Sequence, residues 1–260
     1  MSIDAQAIGR VRDRHFQPDA AMEGVEIDRL PDLLQGIERF VDVGANVGQY
    51  TWFASRHLQG AEIIAIEADP VLAADLDVNA RTWAAETGNT IRVINAAVSD
   101  RQGTLTFHRT ADITTGNILN VDATGETCEV PARRLDDLLP PGPATLVKMD
   151  IEGAEFRAID GARQLLASAE VRFFMELHGW GDAELRRYPI HVARVFRDAG
   201  YAVEKIGTHY LFERRDPAAI ASSHAGVRPL LMAKFVYRRY LGFLEPVIRL
   251  MARRGLLGRV

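Results

Sequence analysis

From Arg39 to Glu213 the chain alternates short β-branched apolar runs with helix-length stretches, and several runs end in glycine or a carboxylate. Each crossover is long enough to make neighbouring strands parallel, and strands buried on both faces read as unbroken apolar runs. Strands are predicted over residues 39–43, 62–66, 91–94, 144–149 and 171–175. Helices are predicted over 49–57, 71–86, 155–166 and 183–199, with Pro189 interrupting the last. Asp69 is placed to cap the helix that Pro70 opens, and Gly200 to stop the final one. Residues 103–109 and 127–132 make an antiparallel excursion around a polar loop, 110–125. Residues 201–205 and 209–213 read as a hairpin, so the last strand is antiparallel. The expectation is an α/β fold, a doubly wound and mostly parallel sheet.

At 260 residues, 47% of them hydrophobic and 25% charged, the chain can bury a full core around one catalytic-sized domain. No uncharged apolar run approaches the ~18 residues of a membrane span, and the first residues lack a secretory h-region. Cys128 is the single cysteine, so no internal disulfide forms and a reducing cytoplasm suits the chain. The organisation expected is a cap segment (1–38), a catalytic domain (39–213), a linker (214–227) and a tail (228–260). The tail carries eight Lys/Arg against Glu245 alone, leaving the rest of the chain acidic. An acidic body argues against a nucleic-acid partner. Leu241, Leu244, Ile248 and Met251 share one helical face of the tail, which would pack on the body or a second subunit, or rest on an anionic membrane.

Asp42-Val-Gly-Ala-Asn-Val-Gly48 lies where a strand turns into a helix, the place where a doubly wound sheet holds a nucleotide-like ligand. A dinucleotide fingerprint would need glycine at 46 and 49, where the chain has Asn46 and Gln49. Glu67 ends the second strand, either to accept ribose hydroxyls or as a solvated helix-start residue. After the third strand, Ala96 and Ala97 leave room for a flat ring or simply end the strand. The stretch Lys148-Met-Asp-Ile-Glu-Gly-Ala-Glu155 delivers three carboxylates in six residues, which repel one another unless donors, ligands or a cation hold them. Helix capping would account for Glu155 but less well for Asp150. Glu176 and His178 point to one side of the next strand by the two-residue period, His178 as a base or a structural hydrogen-bonding group.

The order Phe40 to Gly48, Ile66-Glu-Ala-Asp-Pro70, Asn95-Ala-Ala-Val-Ser-Asp100, Lys148 to Glu155 and Met175-Glu-Leu-His178 resembles the FkbM family of S-adenosylmethionine-dependent methyltransferases. The resemblance covers about residues 39–213. It implies a Rossmann-like class I fold with a seven-stranded sheet and O-methylation of a sugar, glycan or natural-product acceptor. It also implies that Asp42, Gly44, Asn46, Gly48 and Thr51 surround the methionyl end of the cofactor, Glu67 the ribose and Ala96-Ala97 the adenine, with Asp150 on the sulfonium or acceptor side.

Methyl transfer to a hydroxyl needs alignment, exclusion of water and a base. The order expected for that base is a neutral His178, then Asp150, then Glu152. No dedicated metal site is read from the sequence; a divalent ion on Asp150, Glu152 and Glu176 is the lesser alternative. The acceptor pocket is expected from residues 110–125 and 179–189, with the N-terminal cap as a further contributor, for a small-molecule, saccharide or lipid-linked acceptor. Asp150-Ile-Glu-Gly153 replaces the Asn/Asp-Pro-Pro-aromatic turn suited to a flipped base, which argues against nucleobase methylation. The competing readings are a nicotinamide-dependent oxidoreductase and a non-catalytic cofactor-binding subunit.

Overall fold

The structure, a computed structural model, describes residues 25–109, 116–119, 126–140, 142–178 and 188–236. A helix, α1 (Val25–Leu33), precedes β1 (Arg39–Val43), α2 (Gln49–His57), β2 (Glu62–Glu67), α3 (Pro70–Thr87) and β3 (Thr90–Asn95). The excursion comprises β4 (Ala97–Val98), β5 (Gly103–His108) and β6 (Thr127–Arg133), followed by the short α4 (Leu135–Leu138). The sheet resumes with β7 (Thr145–Met149), α5 (Glu155–Asp160), α6 (Arg163–Ala167), β8 (Val171–Glu176), α7 (Tyr188–Asp198), β9 (Tyr201–Ile206) and β10 (His209–Arg214), and α8 (Pro217–Val236) follows.

Seven strands form one sheet in the order β3-β2-β1-β7-β8-β10-β9, with β10 antiparallel to both neighbours. A three-stranded sheet, β4-β6-β5, holds the excursion. The central strands β1 and β7 are buried along their whole length, as their apolar runs require. One face packs Val41, Ile64, Val147 and Phe173 against the later helices. The other packs Phe40, Ile63, Leu146 and Phe174 against Leu30, Leu33 and Ala54. The expected cap segment thus contributes α1 to the core, while residues 1–24 lie outside the described residues. Chain order reverses between β1 and β7, and such a switch point opens a crevice beyond the strand ends.

Two expectations change. The helix expected over 155–166 is two short helices that meet at Gly161, where the chain passes so close to the β4–β5 connection that a Cβ would lie 2.2 Å from the Ser99 carbonyl oxygen. α7 is described from Tyr188 to Asp198 and contains Pro189, while residues 183–187 of the expected helix lie outside the described residues. Residues 214–227 are not a linker. β10 runs to Arg214, Asp216 accepts from the amides of Ala218 and Ala219 at 3.0 Å, and α8 crosses position 228 without a break. Ser223 accepts from the Val203 amide at 3.0 Å and His224 meets the Tyr201 carbonyl at 2.8 Å, so α8 covers the edge strand β9.

The amphipathic stretch from Tyr237 and most of the expected acceptor segments lie outside the described residues. Among the described residues, no helix is long and apolar enough to cross a membrane.

Candidate active site

The crevice at the switch point is a cavity of about 380 Å³, within the range of small-molecule sites. Gly44 and Asn46 of the β1 turn, Glu67 at the end of β2, and Ala96 and Ala97 after β3 line it. Phe107 of β5, with Asn117 and Ile118, closes one side, and Lys148, Asp150 and Glu152 at the end of β7 close another. The turn after β1 is tight. Gly44 has φ 76°, and a Cβ there would lie 1.9 Å from the Asp150 carbonyl oxygen, so the two turns touch through backbone. Asn46 is also left-handed, at φ 53°.

Glu67 is buried and accepts from the amides of Asn46 and Asp69, one on each oxygen at 2.7 Å. Burial pushes its carboxyl up to about 7 against the pull of those two donors. Asp69 also caps α3 through the Val71 amide at 2.8 Å and pairs with Arg109 through both oxygens, at 2.6 and 2.9 Å.

Asp42, Thr51 and Gly48 do not line the cavity but build the floor under its turn. Thr51 donates to Asp42 at 2.7 Å, and Lys148 Nζ lies 3.4 Å from the other Asp42 oxygen and 3.4 Å from the Gly44 carbonyl. Burial works against the Lys148 charge, but Asp42 and Asp150 outweigh it and hold the ammonium protonated. Gly48 packs against Leu76 and Trp83. Lys148 also lies 4.6 Å over the Tyr50 ring.

Beyond β7 the carboxylates converge on one imidazole. His178 Nδ1 lies 3.0 Å from Glu155 Oε1, and Nε2 lies 3.9 Å from Asp150, 3.8 Å from Glu152 and 3.8 Å from Glu176. The same Glu155 oxygen accepts from the amides of Ile151 and Gly153 at 3.2 Å, so one buried carboxylate shapes its own turn and orients the ring. Burial disfavours the imidazolium, but the Glu155 hydrogen bond and the carboxylates around it lift His178 to about 9. The expected neutral His178 is therefore not what the structure holds at neutral pH, and His178 stands behind the cavity wall rather than on it. Glu152 is on that wall, left-handed at φ 54°. Burial raises its carboxyl to about 7, opposed by His178 and reinforced by Asp150.

Sequence reasoning gave no site role to Lys148, Tyr50, Phe107 or His209. The strand-end position of Lys148 was a usable signal; His209 carried none, being one histidine on a terminal hairpin. Burial and the nearby Lys148 charge push His209 down to about 4, so it is a neutral imidazole.

The sequence profile of the methyltransferase FkbM domain matches residues 42–203, more than half of the chain. The chain belongs to the FkbM methyltransferase family. No curated protein matches it. Among solved structures it is similar to methyltransferase FkbM from Methylobacillus flagellatus, at 14% identity and TM-score 0.48, over 80% of this chain and 58% of that one. It thus spans less than two thirds of the Methylobacillus protein. It is also similar to a methyltransferase-like protein from Silicibacter pomeroyi (15% identity, TM-score 0.43, 84% and 97% coverage) and to precorrin-6y C5,15-methyltransferase from Geobacter metallireducens (14%, 0.43, 77% and 92%).

This FkbM-family chain has the Rossmann-like class I fold of S-adenosylmethionine-dependent methyltransferases. Its cavity fits that cofactor. Each Glu67 oxygen keeps a lone pair after its backbone donor, the acceptor pattern a ribose diol needs. Ala97, Phe107 and Ile118 supply small and apolar walls for a flat base.

Proposed function

We propose that this FkbM methyltransferase methylates a hydroxyl oxygen of a saccharide, lipid-linked or natural-product acceptor, and that Glu152 takes the proton. When bound, S-adenosylmethionine supplies an electrophilic methyl group on a sulfonium. Glu67 receives the ribose, Ala96 and Ala97 lie along the adenine, and the Gly44–Asn46 turn faces the methionyl end. Asp42 and Thr51 act from beneath, holding Lys148 and the turn in place, and Gly48 lets α2 approach α3.

The observation that carries the reading is a carboxylate, Glu152, on the wall of the same cavity as Glu67, fixed there by a left-handed backbone. Glu152 is close to half ionised at neutral pH, where a base combines availability with driving force. His178, as an imidazolium on Glu155, balances the carboxylates and orients Asp150 and Glu152; the acceptor proton does not go to it. Asp150 stands beside Glu152 to take a hydrogen bond from the acceptor.

The test is transfer of labelled methyl from S-adenosylmethionine into an extract of the source cells, separated into lipid, saccharide, protein and nucleic-acid fractions. Label should enter the lipid or saccharide fraction, and Glu152→Gln should lower the rate by about 10²- to 10⁴-fold with cofactor affinity kept. Label confined to protein or nucleic acid would reject the acceptor class. Full activity in Glu152→Gln would reject the base.

A further inference from the structure

We propose that Asp150, Glu176 and His209 form a binding site for a divalent first-row transition ion beside the cofactor cavity. One carboxylate oxygen of Asp150, one of Glu176 and one imidazole nitrogen of His209 lie within 4.8 Å of one another. Strand pairing brings them together. His209 opens β10 directly opposite Glu176, the last residue of β8, and Asp150 follows Met149, which pairs with Met175 on that same strand.

Acidic side chains near one another are common on protein surfaces, but His209 is not a surface residue. It is 4% exposed, and its Nε2 has no hydrogen-bond partner among the described residues. Leaving a buried ring nitrogen unmatched is costly, and so is the buried Asp150 Oδ1, which accepts no hydrogen bond among the described residues. One cation between them would satisfy both. The His209 ring is already fixed for that purpose. It stacks on Phe174 with centroids 4.6 Å apart, and its Nδ1 meets the Thr208 hydroxyl at 3.1 Å, the outer hydrogen bond that sets which nitrogen of a ligating histidine is available.

Ligand atoms about 2.1 Å from one ion sit roughly 3 Å apart at adjacent octahedral positions and about 4.2 Å apart across it. The carboxylates of Asp150 and Glu176 are partly exposed and reach that spacing by rotation, while the ring stays in place. One imidazole with two carboxylates suits Mn²⁺, Fe²⁺ or Zn²⁺ better than Mg²⁺, which favours oxygen alone. Three protein ligands also leave coordination positions open. Resting on the methyl-transfer reading, those positions would hold the acceptor oxygen next to Glu152.

Mn²⁺ is the probe, and loss of the free-ion electron paramagnetic resonance signal is the readout, with no cofactor or acceptor present. The intact chain should bind one Mn²⁺ per molecule. His209→Ala and Asp150→Asn should each weaken binding at least tenfold, while Glu152→Gln changes it less than threefold. Unchanged S-adenosylmethionine affinity and circular dichroism in His209→Ala show that the variant is folded, and His209→Gln serves if it is not. No Mn²⁺ binding by the intact chain would overturn the site. So would loss of binding in Glu152→Gln with retention in His209→Ala, which would move the ion to the Asp150, Glu152 and His178 group. Mn²⁺ binding without methyl transfer keeps the site and rejects the function; methyl transfer without Mn²⁺ binding does the reverse.

Discussion

Glu67 carries more of the account than any other side chain, because its charge and its hydrogen bonds pull in opposite directions. Its two oxygens already serve the amides of Asn46 and Asp69, and burial still raises its carboxyl to about 7. In the proposed binding mode two ribose hydroxyls donate to both oxygens, a pattern that the ionised form serves best, so below pH 7 cofactor binding is coupled to loss of a proton. Affinity for S-adenosylmethionine should therefore be constant above about pH 8 and fall by up to about tenfold per unit below pH 7. Titration calorimetry from pH 5.5 to 8.5 checks this. The Glu67→Gln variant should bind more weakly and without that pH dependence, and a dependence that survives in it belongs to another group. Glu67, Gly44 and Asp150 were legible in the sequence because each ends or follows a strand at the switch point. Asp42 and Thr51 share the same stretch, yet they face inward to each other and to Lys148. His209 was illegible because its partner Glu176 lies on another strand, and only the antiparallel register of β10 joins them.

The turns after β1 and β7 form one unit. Gly44 approaches the Asp150 carbonyl so closely that any side chain collides with backbone, which does not yield as a side-chain tip would. Gly44 also occupies a conformation that L-residues adopt at a cost. Gly44→Ala should lose about 2–4 kcal/mol of unfolding free energy in urea titrations, combining overpacking with backbone strain. A loss below about 0.5 kcal/mol would mean that the two turns are not in contact. Strands were readable at this scale because burial on both faces leaves unbroken apolar runs, and the Asp69-Pro70 start of α3 is realised as a cap. Helices after β7 were less readable. Composition carries helix propensity straight through Gly161, and the break comes from its approach to Ser99 across more than sixty residues of sequence, a contact that local pattern does not encode.

At the scale of the molecule, the sheet order puts the turns after β1 and β7 on either side of the switch point, with the end of β8 and the start of β10 alongside. β10 alone runs against the rest of the sheet, so it begins where β8 ends and His209 comes beside the carboxylates Asp150 and Glu176. α8 then covers the outer edge of β9. The doubly wound sheet was legible because alternation and crossover length leave few alternatives. The boundary at 214–227 was not, since a polar stretch with little hydrophobic periodicity is held by Ser223, His224 and the buried Val227 rather than by an apolar stripe. The central claim is that the crevice holds S-adenosylmethionine through Glu67 and does not hold a dinucleotide. The most direct measurement is calorimetric titration at pH 8 of the intact chain and of Glu67→Ala with S-adenosylmethionine and with NAD. The account predicts one S-adenosylmethionine per chain, an affinity about 10- to 100-fold lower in Glu67→Ala, and no binding of NAD. NAD binding in place of S-adenosylmethionine, or equal S-adenosylmethionine affinity in the two proteins, would contradict it.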